Sequence, residues 1–369
     1  MSQDKKTKEK TNLKKLLLLA QKQLKSKAEN AAGFTLIELL VAMIIAALVL
    51  TPLLGFMINI LQTEKREGAK ANAAQELQSA ADFISRDLQQ AVYIYDADGL
   101  YGNTGKGFDD PIIDQIQASN IPNLSNATPV LVFWKRKLLK NAAPRSSSNE
   151  NVAYCISNPT DCDDAFVYSL VAYYLVIDDA TNDPSDQWPG KARLERFEIQ
   201  DGVRKRSDPT EYLDGSQYPD SGYVFQLSTL PGDNLVAQMN NWKKAAARFA
   251  KESTVLVDNI DATQILPANK ATFGIDNCPD DFQQIPNYGD TVGSSYIKSP
   301  VDDKFKTYSF YACVTSNDNR QKADAVQVFF RGNVLDRLNA NNTEYKTDNG
   351  TFFPKASVEV DATGGLGDN

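Results

Sequence analysis

The sequence predicts an α+β fold, a long N-terminal helix followed by an antiparallel β-rich head, and three observations carry that prediction. Gly33 to Leu61 reads GFTLIELLVAMIIAALVLTPLLGFMINIL, a run of about twenty nearly unbroken apolar residues, long enough for a hydrocarbon core. Beyond it Ala73, Leu77, Ala80, Ile84, Leu88 and Ala91 recur at three and four residues, the spacing of one helical face. The remainder alternates β-branched and aromatic runs with clusters of Gly, Pro, Asn and Asp, the pattern of strands and turns. The expected organisation is a leader over 1–33, a membrane and assembly helix over 34–61, an amphipathic extension over 62–92, a head over 93–360 and a flexible tail over 361–369.

The leader carries nine lysines, no arginine and three acids. Its apolar block, Leu16 to Ala20, is too short to span a bilayer. Either a basic amphipathic helix on the cytoplasmic leaflet or a disordered segment fits that composition. Positive residues flanking a span stay cytoplasmic, so the large domain is expected on the outer side of the membrane. A secretory signal has an apolar stretch of ~7 to 15 residues with its cleavage site after it. Here the run is longer, and the small-residue site Ala31-Ala32-Gly33 precedes it.

Glu38 lies inside the apolar run. An ionisable group at the centre of a membrane helix costs ~2.5 to 3.5 kcal/mol and somewhat less near its end, so a carboxylate kept there calls for a partner. The span offers none. Cleavage after Gly33 would give Phe34 a free α-amine, and that amine on a neighbouring copy would neutralise Glu38 within the lipid.

The residues AAGFTLIELL resemble the class III prepilin signal of type IV pilins and pseudopilins. The resemblance implies processing between Gly33 and Phe34 by a prepilin peptidase, methylation of Phe34, and assembly through Glu38. It also implies partners: other pilins or pseudopilins along the N-terminal helix and an inner-membrane assembly platform. The subunit would sit in the inner membrane with its head outward before assembly, and in a periplasmic or surface filament after it. ELQSAADFISRDLQQAVYIYD, from Glu76 to Asp96, resembles the helix-to-strand junction of W-type and J-type minor subunits. YSLVAYYLVID from Tyr168, KARLERFEI from Lys191 and VLVDNI ending at Ile260 are similar to further segments of those subunits. The long lysine-rich leader on such a body resembles pseudopilins of cyanobacterial hormogonium polysaccharide secretion, which implies secreted polysaccharide as a partner. Type II secretion pseudopilins and type IV minor pilins for motility, adhesion or DNA uptake are the alternatives.

Within the helix Pro52 and Gly68 are expected as interruptions, since proline removes a backbone bond and glycine weakens a helix interior. Gly99 to Asn126, rich in Gly, Asn, Asp and Pro, reads as a long surface loop, and Gly102, Gly105 and Gly107 as turn residues that match no phosphate-binding fingerprint. Strands are expected at Pro129 to Trp134, Tyr168 to Asp178, Lys191 to Ile199, Thr254 to Val257, Tyr308 to Val314, Ala325 to Phe330 and Ser357 to Val360. Pro231 to Lys251 reads as an amphipathic helix with Leu235, Met239, Trp242, Ala246 and Phe249 on one face.

Net charge is −8 over 369 residues, and removal of the leader would leave −14. An acidic head speaks against a nucleic-acid partner, whose phosphates are neutralised by Lys and Arg. The basic clusters Lys135-Arg136-Lys137 and Arg204-Lys205-Arg206 are expected as solvated faces. There is no histidine, which excludes His-dependent triads and HExxH metal chemistry. Four cysteines in the exported part allow three pairings; Cys155 with Cys162 and Cys278 with Cys313 is the expected one, with zinc the alternative.

Acidic clusters at Asp96 and Asp98, at Asp161, Asp163 and Asp164, and at Asp178, Asp179, Asp183 and Asp186 lack the EF-hand pattern and are expected as solvated loops. No spacing selects a catalytic carboxylate pair, so no catalytic residue, metal or cofactor is assigned. A membrane-tethered, glycan-active enzyme is the remote alternative.

Overall fold

The computed structural model describes residues 35–361 except 104–110, 117–125, 179–187, 217, 225–229, 233, 247–248, 266, 274, 276, 287, 289–304 and 316–324. The expected leader, with Gly33 and Phe34, therefore lies outside the described residues. So do Gly105, Gly107, Asp179, Asp183, Asp186 and the tail after Asp361. The chain divides into two compact units, Met1–Lys65 and Arg66–Asn369. The fold class is the α+β arrangement that the sequence predicts: a long apolar N-terminal helix followed by antiparallel sheets.

That helix, α1, spans Leu36–Leu88. In the first unit its apolar side chains are exposed on every side, from Leu36 to Leu61, with none of the apolar window buried. A helix that is hydrophobic all round belongs in a membrane or inside an assembly. At 1.5 Å per residue the stretch to Leu61 is about 39 Å long, more than a hydrocarbon core of ~30 Å.

Contrary to expectation, neither Pro52 nor Gly68 interrupts α1. Pro52 forfeits one backbone donor, and Thr51 before it donates through Oγ1 to the Ala47 carbonyl at 2.7 Å without ending the helix. Gly68 faces open space, with nothing within 4 Å of where a Cβ would stand. Its cost is the ~1 kcal/mol of a helix-interior glycine, too little to end a helix of this length.

In the second unit the face carrying Ala73, Leu77, Ala80, Ile84 and Leu88 is buried. The helix ends at Leu88 rather than Val92, because Ala91 to Ile94 form strand β1 (Ala91–Ile94) against β2 (Ala127–Pro144). The described residues 97–103 and 111–116 correct the surface-loop expectation. Two short helices, α2 (Ala97–Tyr101) and α3 (Ile112–Gln115), bury Leu100, Tyr101, Ile112 and Ile113. Asp96 caps α2 by accepting from the Gly99 amide at 2.9 Å, and Gly102 closes it with φ of 90°.

Short helix α4 (Val152–Ser157) leads to β3 (Cys162–Ile177), which pairs with β2 over most of its length and with β4 (Ala192–Gln200) on its other side. β5 (Thr254–Val257) completes a sheet of order β1-β2-β3-β4-β5. The expected helix over Pro231 to Lys251 shrinks to α5 (Leu235–Asn240). Met239, Trp242 and Phe249 are still buried, but the last two sit on irregular backbone and Ala246 is exposed. Trp242 packs edge-on against Trp134 at 5.3 Å, and a contact of that size fixes the chain without helical spacing.

The second sheet, β6-β7-β8-β9, comprises Phe282–Ile285, Phe310–Thr315, Ala325–Arg331 and Lys355–Asp361. β6 was not among the expected strands. The segment from Asp258 to Asp261 stitches the two sheets together: the Ile260 amide donates to Ala192, and the Asp261 amide donates to Arg331. A short helix, α6 (Val334–Arg337), follows, and its Arg337 pairs with Glu76 of α1.

Candidate functional site

Two carboxylates on α1 define the functional question. The first stands in the opening turn of the helix. Thr35 caps that turn: its Oγ1 accepts from the Glu38 amide at 3.3 Å, and its carbonyl accepts from the Leu39 amide at 3.1 Å. T-x-x-E is the capping-box spacing, with Glu38 at the third helical position, where the positive end of the helix dipole favours a negative charge. Glu38 is exposed, and among the described residues no cation pairs with it. Thr35 was not among the expected functional residues, although the T-x-x-E spacing was there to find it.

The second carboxylate is Asp87, in the last turn of the same helix, where the dipole disfavours an acid. It is buried at 6 % exposure and compensated by three strands. Lys135 of β2 meets its Oδ1 at 2.7 Å, while Tyr173 of β3 and Arg196 of β4 each donate to its Oδ2 at 2.8 Å. Glu198 completes the cluster, with Arg196 at 2.8 Å, Lys137 at 3.3 Å and Lys135 at 3.6 Å.

The electrostatics follow from that geometry. Burial opposes charging of Arg196, but Asp87 and Glu198 override it and hold the guanidinium ionised. Burial alone would raise the Glu198 pKa; Arg196, Lys135 and Lys137 instead pull it down to about 2. Burial and the Asp87 charge push the Tyr173 phenol well up, so it stays a hydrogen-bond donor. The cluster fastens the end of α1 across β2, β3 and β4.

Lys135 corrects the expectation of a solvated basic face, since it is 5 % exposed and doubly ion-paired. Arg136 is exposed and covers the Phe166 ring at 4.4 Å. In the second basic cluster Arg204 pairs with Asp201, and Lys205 with Glu211 and Asp214.

The cysteines pair as Cys155–Cys162 and Cys278–Cys313. The first closes α4 onto the start of β3, and the second ties the segment after the 3-10 turn Pro267–Phe273 to β7.

The described acidic residues engage protein groups. Asp98 meets Asn103 and Gln283, Asp161 accepts from Tyr154, Asp163 meets Arg145, Asp164 accepts from the Asn141 amide, and Asp178 meets Arg193. Asp96 and Asp98 are buried at 1 % each, against the expectation of a solvated loop. Among the described residues no three His, Cys, Asp or Glu side chains converge as a metal site.

Residues 30–54 match the prokaryotic N-terminal methylation motif, the signal of type IV pilin-like prepilins. The match covers Gly33, Phe34 and Glu38 and ends within the apolar run. Neither the curated proteins nor the solved structures contain a match to the chain.

Proposed function

We propose that this chain is a minor pilin or pseudopilin, a non-catalytic subunit of a short export filament. In this reading prepilin peptidase cuts after Gly33, the new Phe34 amine is methylated, and α1 holds the subunit in the bilayer with the head outward. The observation that carries the reading is an exposed carboxylate, Glu38, at the start of an all-apolar helix and inside a methylation motif, with no partner among the described residues. A Phe34 amine on an adjacent copy supplies the counter-charge, so that entry into a filament relieves the cost of an ion in lipid. Once paired, the helices pack side by side, and an assembly platform driven from the cytoplasm extracts them from the membrane.

The lysine-rich leader on a W/J-type body favours polysaccharide export as the system served, over type II secretion or type IV pilus function. The head would then sit at or near the filament tip, where its size meets no neighbouring turn of the filament. The reading is tested by mass spectrometry of protein extracted from the membranes of its native host. A mature chain beginning at N-methyl-Phe34 is expected; a chain that keeps Met1 would overturn it.

A further inference from the structure

The outer face of the second sheet carries a slot that the filament reading does not use. In the register of β7, β8 and β9, Tyr311 stands opposite Phe329, and Phe329 opposite Ser357. The Tyr311 and Phe329 rings stack at 4.7 Å with planes only 15° apart, so Tyr311 covers one face of Phe329. On the other side the cross-strand neighbour is a serine, too small to cover the second face, and β9 is the last strand of the sheet. A pocket of about 230 Å³ borders these residues, lined by Tyr311, Phe329, Ser357, Arg331, Lys355 and Ile275 among others.

Its charged lining is basic, Arg331 and Lys355. In the adjacent cross-strand row Arg331 stands opposite Lys355. Arg331 is buried and already held by Asp261, its Nε at 2.8 Å and its Nη2 at 2.7 Å, with the guanidinium 4.3 Å over the Tyr345 ring. Lys355 is exposed and has no ion pair among the described residues.

We infer that this slot binds one ring of a sugar acid, a hexuronate unit of an acidic glycan. The apolar C–H face of a pyranose lies against the open face of Phe329, whose negative π-cloud receives it. The carboxylate reaches Lys355, and the hydroxyls meet Ser357. The volume is below the ~300 Å³ at which whole-ligand pockets begin, which suits a single ring, and the open sheet edge lets the rest of a chain run past. The slot does not depend on assembly, since a chain that never entered a filament would still carry it.

The test is calorimetric titration of the full-length protein in detergent micelles with trigalacturonate, maltotriose and benzoate. Trigalacturonate is expected to bind, more weakly as salt rises, with maltotriose and benzoate at least tenfold weaker. Lys355→Gln should weaken trigalacturonate by roughly tenfold, the worth of one charge-assisted hydrogen bond. Ser357→Phe should abolish binding by laying a ring over Phe329. Both positions are exposed, and an unchanged melting temperature would show that the fold is intact. Absence of trigalacturonate binding, equal binding of maltotriose or benzoate, or full binding by folded Ser357→Phe would overturn the assignment.

Discussion

Glu38 and Asp87 are both acids on α1, and the chain treats them in opposite ways. Asp87 is buried at the unfavourable end of the helix dipole and is matched within its own unit by Lys135, Arg196 and Tyr173. Glu38 stands at the favourable end, capped through its amide by Thr35, yet its carboxylate has no partner among the described residues. A charge satisfied inside the fold holds one molecule together. A charge left open in an apolar helix gives that helix a reason to seek another molecule.

The largest effect expected from breaking this contrast is at Asp87. Asp87→Ala strands Arg196 and Lys135 with Glu198 as their remaining acid, and removing one member of a buried ionic cluster costs about 3 to 5 kcal/mol. Chemical denaturation in micelles should show that loss, whereas Glu38→Ala should leave the same midpoint unchanged.

A smaller effect sharpens the comparison through pH. The folded-state pKa of Glu198 is about 2 against an ordinary 4.5, so its stabilisation is complete above pH 4.5 and is lost as pH falls toward 2. The shift corresponds to about 3 kcal/mol at most, and Glu198→Gln should flatten the acid limb of the stability curve over that window. The smallest effect is at Thr35. Thr35→Ala removes the cap on the first turn at a cost of about 1 kcal/mol, seen as faster amide exchange at Leu36 to Glu38 with the head unaffected.

Much of this architecture was legible because helices and strands advertise their periodicity. The α1 stripe from Ala73 to Leu88, the β3–β4 pair and the later strands follow from spacing and β-branched content alone. What escaped depended on contacts distant in sequence. Lys135 reads as solvent-exposed because nothing local shows that α1 will lay Asp87 across it, and Arg196 and Glu198 alternate with Phe197 and Ile199 as they would on a solvated face. Trp242 and Phe249 kept helical spacing while sitting on irregular backbone, since aromatic packing against Trp134 and Phe197 fixed them instead. The Phe329 slot needed the cross-strand register, which places Ser357 opposite the ring.

In the proposed filament Glu38 is neutralised by another copy of the chain. The most direct test is Glu38→Ala in the native host, comparing the amount of subunit in the membrane with the amount in purified filaments. Normal membrane insertion and loss of the subunit from filaments are expected. Incorporation at the wild-type level would contradict that neutralisation.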